Sequence, residues 1–282
     1  MSETGAAHPQ KYWDMRAAGN FIAGGSGSGL IAVSALAAAA GAAEAAAVPM
    51  AIGVAGVALG LSLVWLEIGK PWRALNVFLH PQTSWMTRES IIAGPLLLTG
   101  AAGAWFASPA AMVLAGVLAL GFLYCQARIL RAARAIPAWR QAEIVPFIVA
   151  TGFAEGAGLY LAVGSQALVM AGLAVAACAA REAAWLAYSR GLLRSGAPAA
   201  SLAALSSQEF KAFRLLQAAA LIGLMLSLAL GGSGWMRLAG LLAAVSGWGI
   251  KALLVTRAAV TRGPAIPFTP VRGRGASRTI MR

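Results

Sequence analysis

The chain has 282 residues, of which 60% are hydrophobic and only 11% are charged, and its formal net charge is +13. Because soluble domains carry about 25% charged residues, this composition excludes an ordinary soluble protein and indicates a polytopic membrane protein. The chain has only two cysteines and two histidines. These numbers exclude a cysteine-ligated iron–sulfur cluster, a cysteine-ligated zinc site and a haem held by a pair of histidines within the spans.

Eight apolar segments follow one another along the chain, and they predict eight transmembrane helices. The segments are rich in Ala, Leu and Gly and lack period-2 alternation, so the predicted fold class is all-α. Their expected limits are residues 18–41, 47–68, 89–107, 110–130, 144–163, 166–189, 212–231 and 236–257. Very short connections predict antiparallel hairpins near residues 42–46, 108–109, 164–165 and 232–235.

Lysine and arginine concentrate at one end of the predicted bundle. Of the 22 Lys and Arg residues, 19 lie in the N-terminal segment, the long connections or the C-terminal tail. The positive-inside rule places these parts, and both termini, on the cytoplasmic side. We expect an eight-helix membrane domain over residues 1–258 and a basic, proline-containing cytoplasmic tail over residues 259–282. The charge either simply orients the chain or also forms a docking surface for a soluble partner; its scattered pattern argues against nucleic acid.

The longest polar interruption between the first three apolar segments is the stretch from Trp65 to Pro95. Polar chemistry at a membrane surface is expected here. Its chemistry-bearing side chains are those of Glu67, Lys70, Trp72, Arg73, His80, Trp85, Arg88 and Glu89.

Three stretches of the chain resemble one family. WDMRAAGNFIAGGSGSGL (13–30), WLEIGKPWRALNVFLHPQTSWMTRES (65–90) and KALLVTRAAVTRGPAIPFTPVRG (251–273) are similar to the membrane anchor subunits of dimethyl-sulfoxide-reductase-type molybdoenzymes, in the polysulfide-reductase (NrfD-like) superfamily. The 65–90 block is the specific part of this resemblance. The basic loops make the chain look most like the anchors of cytoplasm-facing complexes in a bacterial inner membrane.

The resemblance implies a function for the chain. Such anchors carry no haem or iron–sulfur cluster of their own; they bind ubiquinone or menaquinone and hold a ferredoxin-like iron–sulfur subunit against the membrane lipid. That subunit contacts a catalytic subunit with a bis-pterin molybdenum or tungsten cofactor. The expected docking residues are Lys70, Arg73, Arg131 and Arg134, although the first two can equally bind lipid headgroups.

A quinone site needs hydrogen-bonding partners for the quinone oxygens and a proton route from water, while the redox chemistry belongs to the quinone. His80 can both donate and accept a proton near neutral pH. The other expected contacts are Trp85, Arg88, Glu89 and Asn20. The alternatives are structural: a loop-capping His80, belt aromatics and headgroup anchors, and an acid favoured by a helix N-terminus. For the glycine-rich first span, close helix packing is favoured over approach to a quinone.

Ionisable residues inside the apolar spans are costly, and so they are further candidates. Glu155 lies near the bilayer middle, where a lone carboxyl must be protonated or paired. It is the leading proton-relay candidate, with a neutral, hydrogen-bonded acid as the alternative. Glu67, at the end of the second span, relays protons or pairs with Lys70 or Arg73. Arg181, Glu182 and Lys251 lie closer to the basic face, and for them structural pairing is favoured: they can pair with one another, and long bases near span ends can also snorkel.

Two other classes of function stay open. One is a purely structural docking anchor, in which the partner subunit supplies most of the quinone site. The other is a small-solute transporter, in which Glu155, Arg181, Glu182 and Lys251 line a path.

Overall fold

The structure, a computed structural model, describes residues 8–10, 13–67 and 71–261, and the backbone alone at 8, 9, 67 and 71–74. Within these residues, nine α-helices form an all-helical bundle, as predicted. Their bounds are α1 Met15–Ala39, α2 Ala43–Glu67, α3 Trp85–Phe106, α4 Pro109–Ala132, α5 Ile144–Val163, α6 Leu168–Arg194, α7 Ala199–Leu205, α8 Gln208–Leu230 and α9 Ser233–Thr256. Two 3-10 helices, Pro71–Leu79 and Pro137–Arg140, lie in the long connections.

Eight of these helices, all except α7, are long and apolar enough to cross a membrane. The predicted eight-span architecture is therefore confirmed. Some limits differ from the prediction. The helix α3 begins at Trp85 rather than residue 89, and α6 continues to Arg194. Both differences arise because polar side chains at the end of a spanning helix can continue the helix into the interfacial region.

Side-chain caps start several of the helices. Asp14 accepts hydrogen bonds from the backbone N–H groups of Arg16 and Ala17, and Ser84, Ser108 and Ser207 cap α3, α4 and α8 in the same way. Each cap satisfies donors that the first helical turn leaves unpaired. The hydrogen bond from the Arg16 side chain also lowers the pKa of the Asp14 carboxyl.

Helix α1 is the centre of the bundle and packs against α2, α4, α5 and α9. Two of its glycines permit this. A Cβ on Gly27 would meet the backbone of Gly53 and Val57 in α2, and one on Gly29 would overlap the backbone of Gly152 in α5. The prediction that the small residues of the first span bring helices together is confirmed.

The first and last described segments meet at one end of the bundle. Strand β1 (His8–Pro9) pairs antiparallel with strand β2 (Val260–Thr261), and the Gln10 N–H donates to the Ala259 carbonyl. Since successive spans alternate in direction, the long connections lie at this same end, which we call the terminal face. Residues 262–282 of the predicted tail lie outside the described residues.

Two apolar clusters divide the bundle along its length. The cluster at the terminal face contains large aromatic groups, including Trp139, Phe147 and Tyr188, of which Phe147 and Tyr188 stack at 5.5 Å between ring centroids. The cluster in the other half is built mostly from Ala, Leu and Met side chains. Buried polar residues lie between these two clusters, and they form the candidate site.

Candidate functional site

A buried ion pair lies at the middle of the bundle. The Lys251 ammonium donates to Glu155 Oε2 at 2.6 Å, and the two side chains are 1% and 0% exposed. Ser26 donates its hydroxyl to the same carboxylate oxygen at 2.6 Å, and Trp248 Nε1 donates to the Ser26 Oγ at 2.8 Å. Glu155 lies near the middle of α5, and its carboxyl is paired rather than isolated.

Glycines on the neighbouring helices make room for this pair. A Cβ on Gly25 of α1 would lie 2.8 Å from the Lys251 Nζ, and one on Gly247 of α9 would collide with the Glu155 carboxyl. The Lys251 ammonium also donates to the Phe21 carbonyl at 2.6 Å. The helices α1, α5 and α9 thus approach closely enough for the Lys251 ammonium and Glu155 Oε2 to pair directly, while Glu155 Oε1 has no partner among the described residues.

A second polar cluster lies nearer the terminal face and joins α1, α3 and α4. Gln126 donates its side-chain N–H to the Asn20 carbonyl at 3.2 Å, and the Glu89 carboxyl interacts with the Gln126 side chain. The acceptor cluster, as we call these three residues, is almost fully buried. Asn20 Oδ1, Gln126 Oε1 and Glu89 Oε1 each lack a hydrogen-bond partner among the described residues.

The acceptor cluster and the ion pair are neighbours through two glycines of α1. The position of a Cβ on Gly24 lies 2.6 Å from Gln126 Nε2 and 3.4 Å from Asn20 Oδ1. The corresponding position at Gly25 lies 3.4 Å from Gln126 Oε1 and 2.8 Å from Lys251 Nζ. A continuous buried polar layer therefore runs from Glu89 inward to Glu155.

Arg181 lies against the inner end of this polar layer and is fully buried. Its guanidinium donates to the Ala243 carbonyl at 2.9 Å and to Ser246 Oγ at 3.2 Å, while its Nε has no partner among the described residues. The expected mutual pairing of Arg181, Glu182 and Lys251 is wrong. Lys251 pairs with Glu155, and Glu182 pairs with Arg214 at 2.6 Å, because consecutive residues on α6 project in different directions.

Three predicted quinone contacts lie at the terminal face instead, His80 in the loop before α3 and Trp85 and Arg88 in the first turn of α3. Arg88 donates to the carbonyls of Pro81 and Gln82, both at 2.8 Å, and so closes the loop before α3. Trp85 lies between the guanidinium groups of Arg88 and Arg128, at 4.1 and 4.2 Å from its ring centroid. The His80 side chain is exposed. Of the five predicted contacts, only Asn20 and Glu89 come together.

Of the remaining predicted residues, two lie at the terminal face. Arg131 and Arg134 are exposed there. Glu67 is the last residue of α2, but its side chain, like that of Arg73, is outside the described part of the structure. Lys70 also lies outside the described residues.

Sequence reasoning missed Gln126, Ser26 and Trp248. Gln126 carried a usable signal, since a side-chain amide within an apolar run needs a partner. Ser26 and Trp248 carried no comparable signal, because both residue types are common in such spans. Among the described residues, no group of three His, Cys, Asp or Glu side chains is arranged to hold a metal ion.

Fold and site together define a class: a polytopic helical membrane protein with a buried, charged polar layer. No protein-family model matches the chain, and a search of curated proteins finds no match.

Proposed function

We propose that the chain is the haem-free membrane anchor of a three-subunit molybdenum or tungsten oxidoreductase, and that it binds quinone or quinol near the terminal face. The resemblance of three stretches to such anchors motivates the proposal. The observation that carries it is the acceptor cluster, where three buried oxygen atoms have no donor in the part of the chain that the structure describes. Leaving buried acceptors unpaired costs about 1 to 3 kcal/mol each, so a ligand with hydroxyl donors is a strong explanation.

The chemistry of the acceptor cluster fits a quinol. The two hydroxyl groups of a quinol donate hydrogen bonds, and Asn20, Gln126 and Glu89 offer acceptors. For the oxidised form, Lys251 supplies a donor, since an ammonium has three N–H groups and two of them already serve Phe21 and Glu155. The glycines at positions 24 and 25 bring both kinds of group to one side of α1.

The polar layer also offers a route for protons. Oxidation of a quinol releases two electrons and two protons, and the electrons pass to the docked iron–sulfur subunit. We assign Glu89 as the first proton acceptor because its carboxyl is the ionisable group of the acceptor cluster. Glu155 bonds to Ser26, which follows Asn20 of the acceptor cluster by six residues on α1. Six helical residues rise about 9 Å, so Glu155 lies about that much further along the bundle axis than the acceptor cluster. It is the proposed relay residue because Lys251 and Ser26 hold it in place.

The orientation in the membrane is part of the proposal. Since Lys and Arg concentrate on the terminal face, the positive-inside rule places it in the cytoplasm of a bacterium. The iron–sulfur subunit then docks on that side, and electrons have the shortest path to it from a quinol in the acceptor cluster.

The test uses the complex purified on this chain. Glu89→Gln keeps the shape of the side chain, and Gly24→Ala places a methyl group against the Gln126 amide. We expect each change to lower both the quinone retained after purification and the quinol-dependent turnover about tenfold, as for one lost hydrogen bond to the ligand. Turnover with an artificial dye should be unchanged.

Gly172→Ala is the matched control, because nothing lies within 4 Å of its added Cβ. It should behave as wild type in both assays. Normal quinol turnover in Glu89→Gln and Gly24→Ala would place the quinone site in the partner subunit and leave this chain a docking anchor.

A small-solute transporter is the second candidate. The observation that favours it is the gathering of Glu155, Lys251 and Arg181 in one layer at the bundle middle. Mass spectrometry and metal analysis of material purified on this chain separate the two classes. A pterin-metal subunit, an iron–sulfur subunit and extractable quinone support the anchor, whereas a chain recovered alone supports the transporter.

A further inference from the structure

A groove rimmed by arginines lies on the terminal face between the end of α4 and the start of α5. Two adjoining concavities of about 380 and 500 Å³ form it, and both are lined by Arg134 and Arg140. The smaller one is also lined by Trp85, Arg128 and Arg131. We call this feature the arginine groove.

Most of the charge in the arginine groove is not neutralised by protein. Arg131, Arg134 and Arg140 make no ion pair or side-chain hydrogen bond with any other part of the chain that the structure describes. Other arginines at this end of the bundle do have acidic partners. Arg194 pairs with Glu143 at 3.3 Å, and Arg257 pairs with Glu209 at 3.0 Å.

The floor of the groove is fixed by aromatic contacts. Arg128 stacks on the Trp85 ring and donates to the Tyr124 hydroxyl at 2.6 Å, and the two rings meet edge to face at 5.7 Å. Tryptophan and tyrosine prefer the level of the lipid headgroups. The groove therefore lies where headgroup phosphates are found.

An exposed apolar stripe leads from the bilayer directly into the groove. Val113, Val117, Leu120 and Tyr124 lie on one exposed side of α4, and Arg128 and Arg131 continue the same helical spacing. From Leu120 to Arg131 the helix rises about 16 Å, close to half of a hydrocarbon core about 30 Å thick. A lipid whose acyl chains lie along this stripe places its phosphate among the arginines.

We propose that the arginine groove binds an anionic phospholipid, and that its preferred ligand carries two phosphates. Guanidinium groups match phosphate oxygens in a planar, bidentate geometry. The two concavities share Arg134 and Arg140, so each phosphate can occupy one concavity while these side chains contact both. The exposed apolar stripe on α4 favours a lipid over an acidic segment of a soluble subunit, because it can hold acyl chains. This inference goes beyond the proposed function and does not depend on it.

Native mass spectrometry of the detergent-purified protein tests the site. The protein is mixed with equal amounts of cardiolipin, phosphatidylglycerol and phosphatidylcholine, and the bound lipids are counted. We expect one cardiolipin to bind in preference to the others. The double variant R131Q/R134Q should lose affinity about 30-fold, since each arginine near a charged lipid surface contributes roughly fivefold.

The variant R190Q/K211Q is the matched control, because it removes from the same face, outside the groove, two exposed charges that have no ion-pair partner among the residues described. It should keep the wild-type lipid preference. The variant R131K/R134K should fall between the two, because lysine keeps the charge but not the bidentate geometry.

Equal losses in R131Q/R134Q and R190Q/K211Q would overturn the proposal, since lipid would then respond to net charge alone. So would a wild-type protein that binds the three lipids equally. If R131Q/R134Q keeps its lipid but loses a co-purified acidic subunit, the groove is a protein-docking surface and the lipid proposal fails.

Discussion

The loop before α3 and the buried polar layer differ in how the chain assembles them. The loop collects its charged and aromatic residues within a short stretch, and Arg88 in the first turn of α3 donates to loop carbonyls only six and seven residues away. The polar layer draws on distant parts of the chain, and Lys251 bonds to the carbonyl of Phe21, 230 residues away. Water can hydrogen-bond to the polar groups of the loop, whereas the buried polar groups must find hydrogen-bonding partners within the protein. The loop is therefore not the place where buried polar groups converge, although Glu89, a few residues after it in α3, joins the polar layer.

Breaking the Glu155–Lys251 ion pair is expected to have the largest effect, because it leaves a buried charge without a partner. Glu155→Leu leaves the Lys251 charge buried and unpaired, so we expect unfolding in detergent to become easier by about 3 to 5 kcal/mol. The double variant Glu155→Leu with Lys251→Met removes both charges and should be close to wild type in stability. A double variant as unstable as the single variant would contradict the view that pairing dominates. The measurement is the free energy of unfolding of each purified variant.

The second largest loss of stability is expected where helices α1 and α5 pack closely beside the polar layer. A Cβ on Gly156 would overlap the backbone of Gly29 on α1, where no side chain can move aside. We expect Gly156→Ala to cost about 3 kcal/mol, measured as a lower thermal midpoint in the same detergent. Gly172→Ala, with open space around the added methyl group, should leave the midpoint nearly unchanged.

The loop should respond more weakly than either buried site. Arg88→Ala removes two charge-assisted hydrogen bonds to Pro81 and Gln82, and we expect faster amide exchange at Thr83 and Ser84 by roughly tenfold, equal to about 1.4 kcal/mol of local opening. Exchange in α5 should not change. Arg140→Ala is the control for a lost surface charge, since Arg140 holds no loop carbonyl. Unchanged amide exchange at Thr83 and Ser84 in Arg88→Ala would mean that the proline-containing turn is stable without the Arg88 hydrogen bonds.

The smallest expected effect lies at the start of α1. Asp14→Ala removes a helix cap and should lower the thermal midpoint slightly. Because the hydrogen bond from Arg16 lowers the pKa of the Asp14 carboxyl, the stabilisation is fully present above the usual aspartate range and is lost as the pH falls through the lowered value. The midpoints of wild type and Asp14→Ala should therefore converge in strong acid. A difference that persists there would assign the effect to lost packing.

Composition and apolar segment length were enough to predict the all-α fold with eight spans, and the even number of spans put both ends of the bundle's chain on one face. These properties follow from local physical chemistry, because each apolar run must satisfy its own backbone hydrogen bonds in lipid. The place of Glu155 near the middle of one span followed in the same way from the sequence. The small residues of α1 likewise indicated close helix packing without any knowledge of the partner helices.

Tertiary structure alone decided which polar groups meet. No local pattern connects Ser26 to Trp248, or Glu89 to Gln126, since each pair joins different helices whose relative rotation depends on packing throughout the bundle. The partner of Arg181 could not be read from its neighbour Glu182, because adjacent residues on a helix diverge by about 100°. The sequence by itself determined the spans and the position of each charge along its span, while the contacts between helices decided which charges are paired and which acceptors are left open.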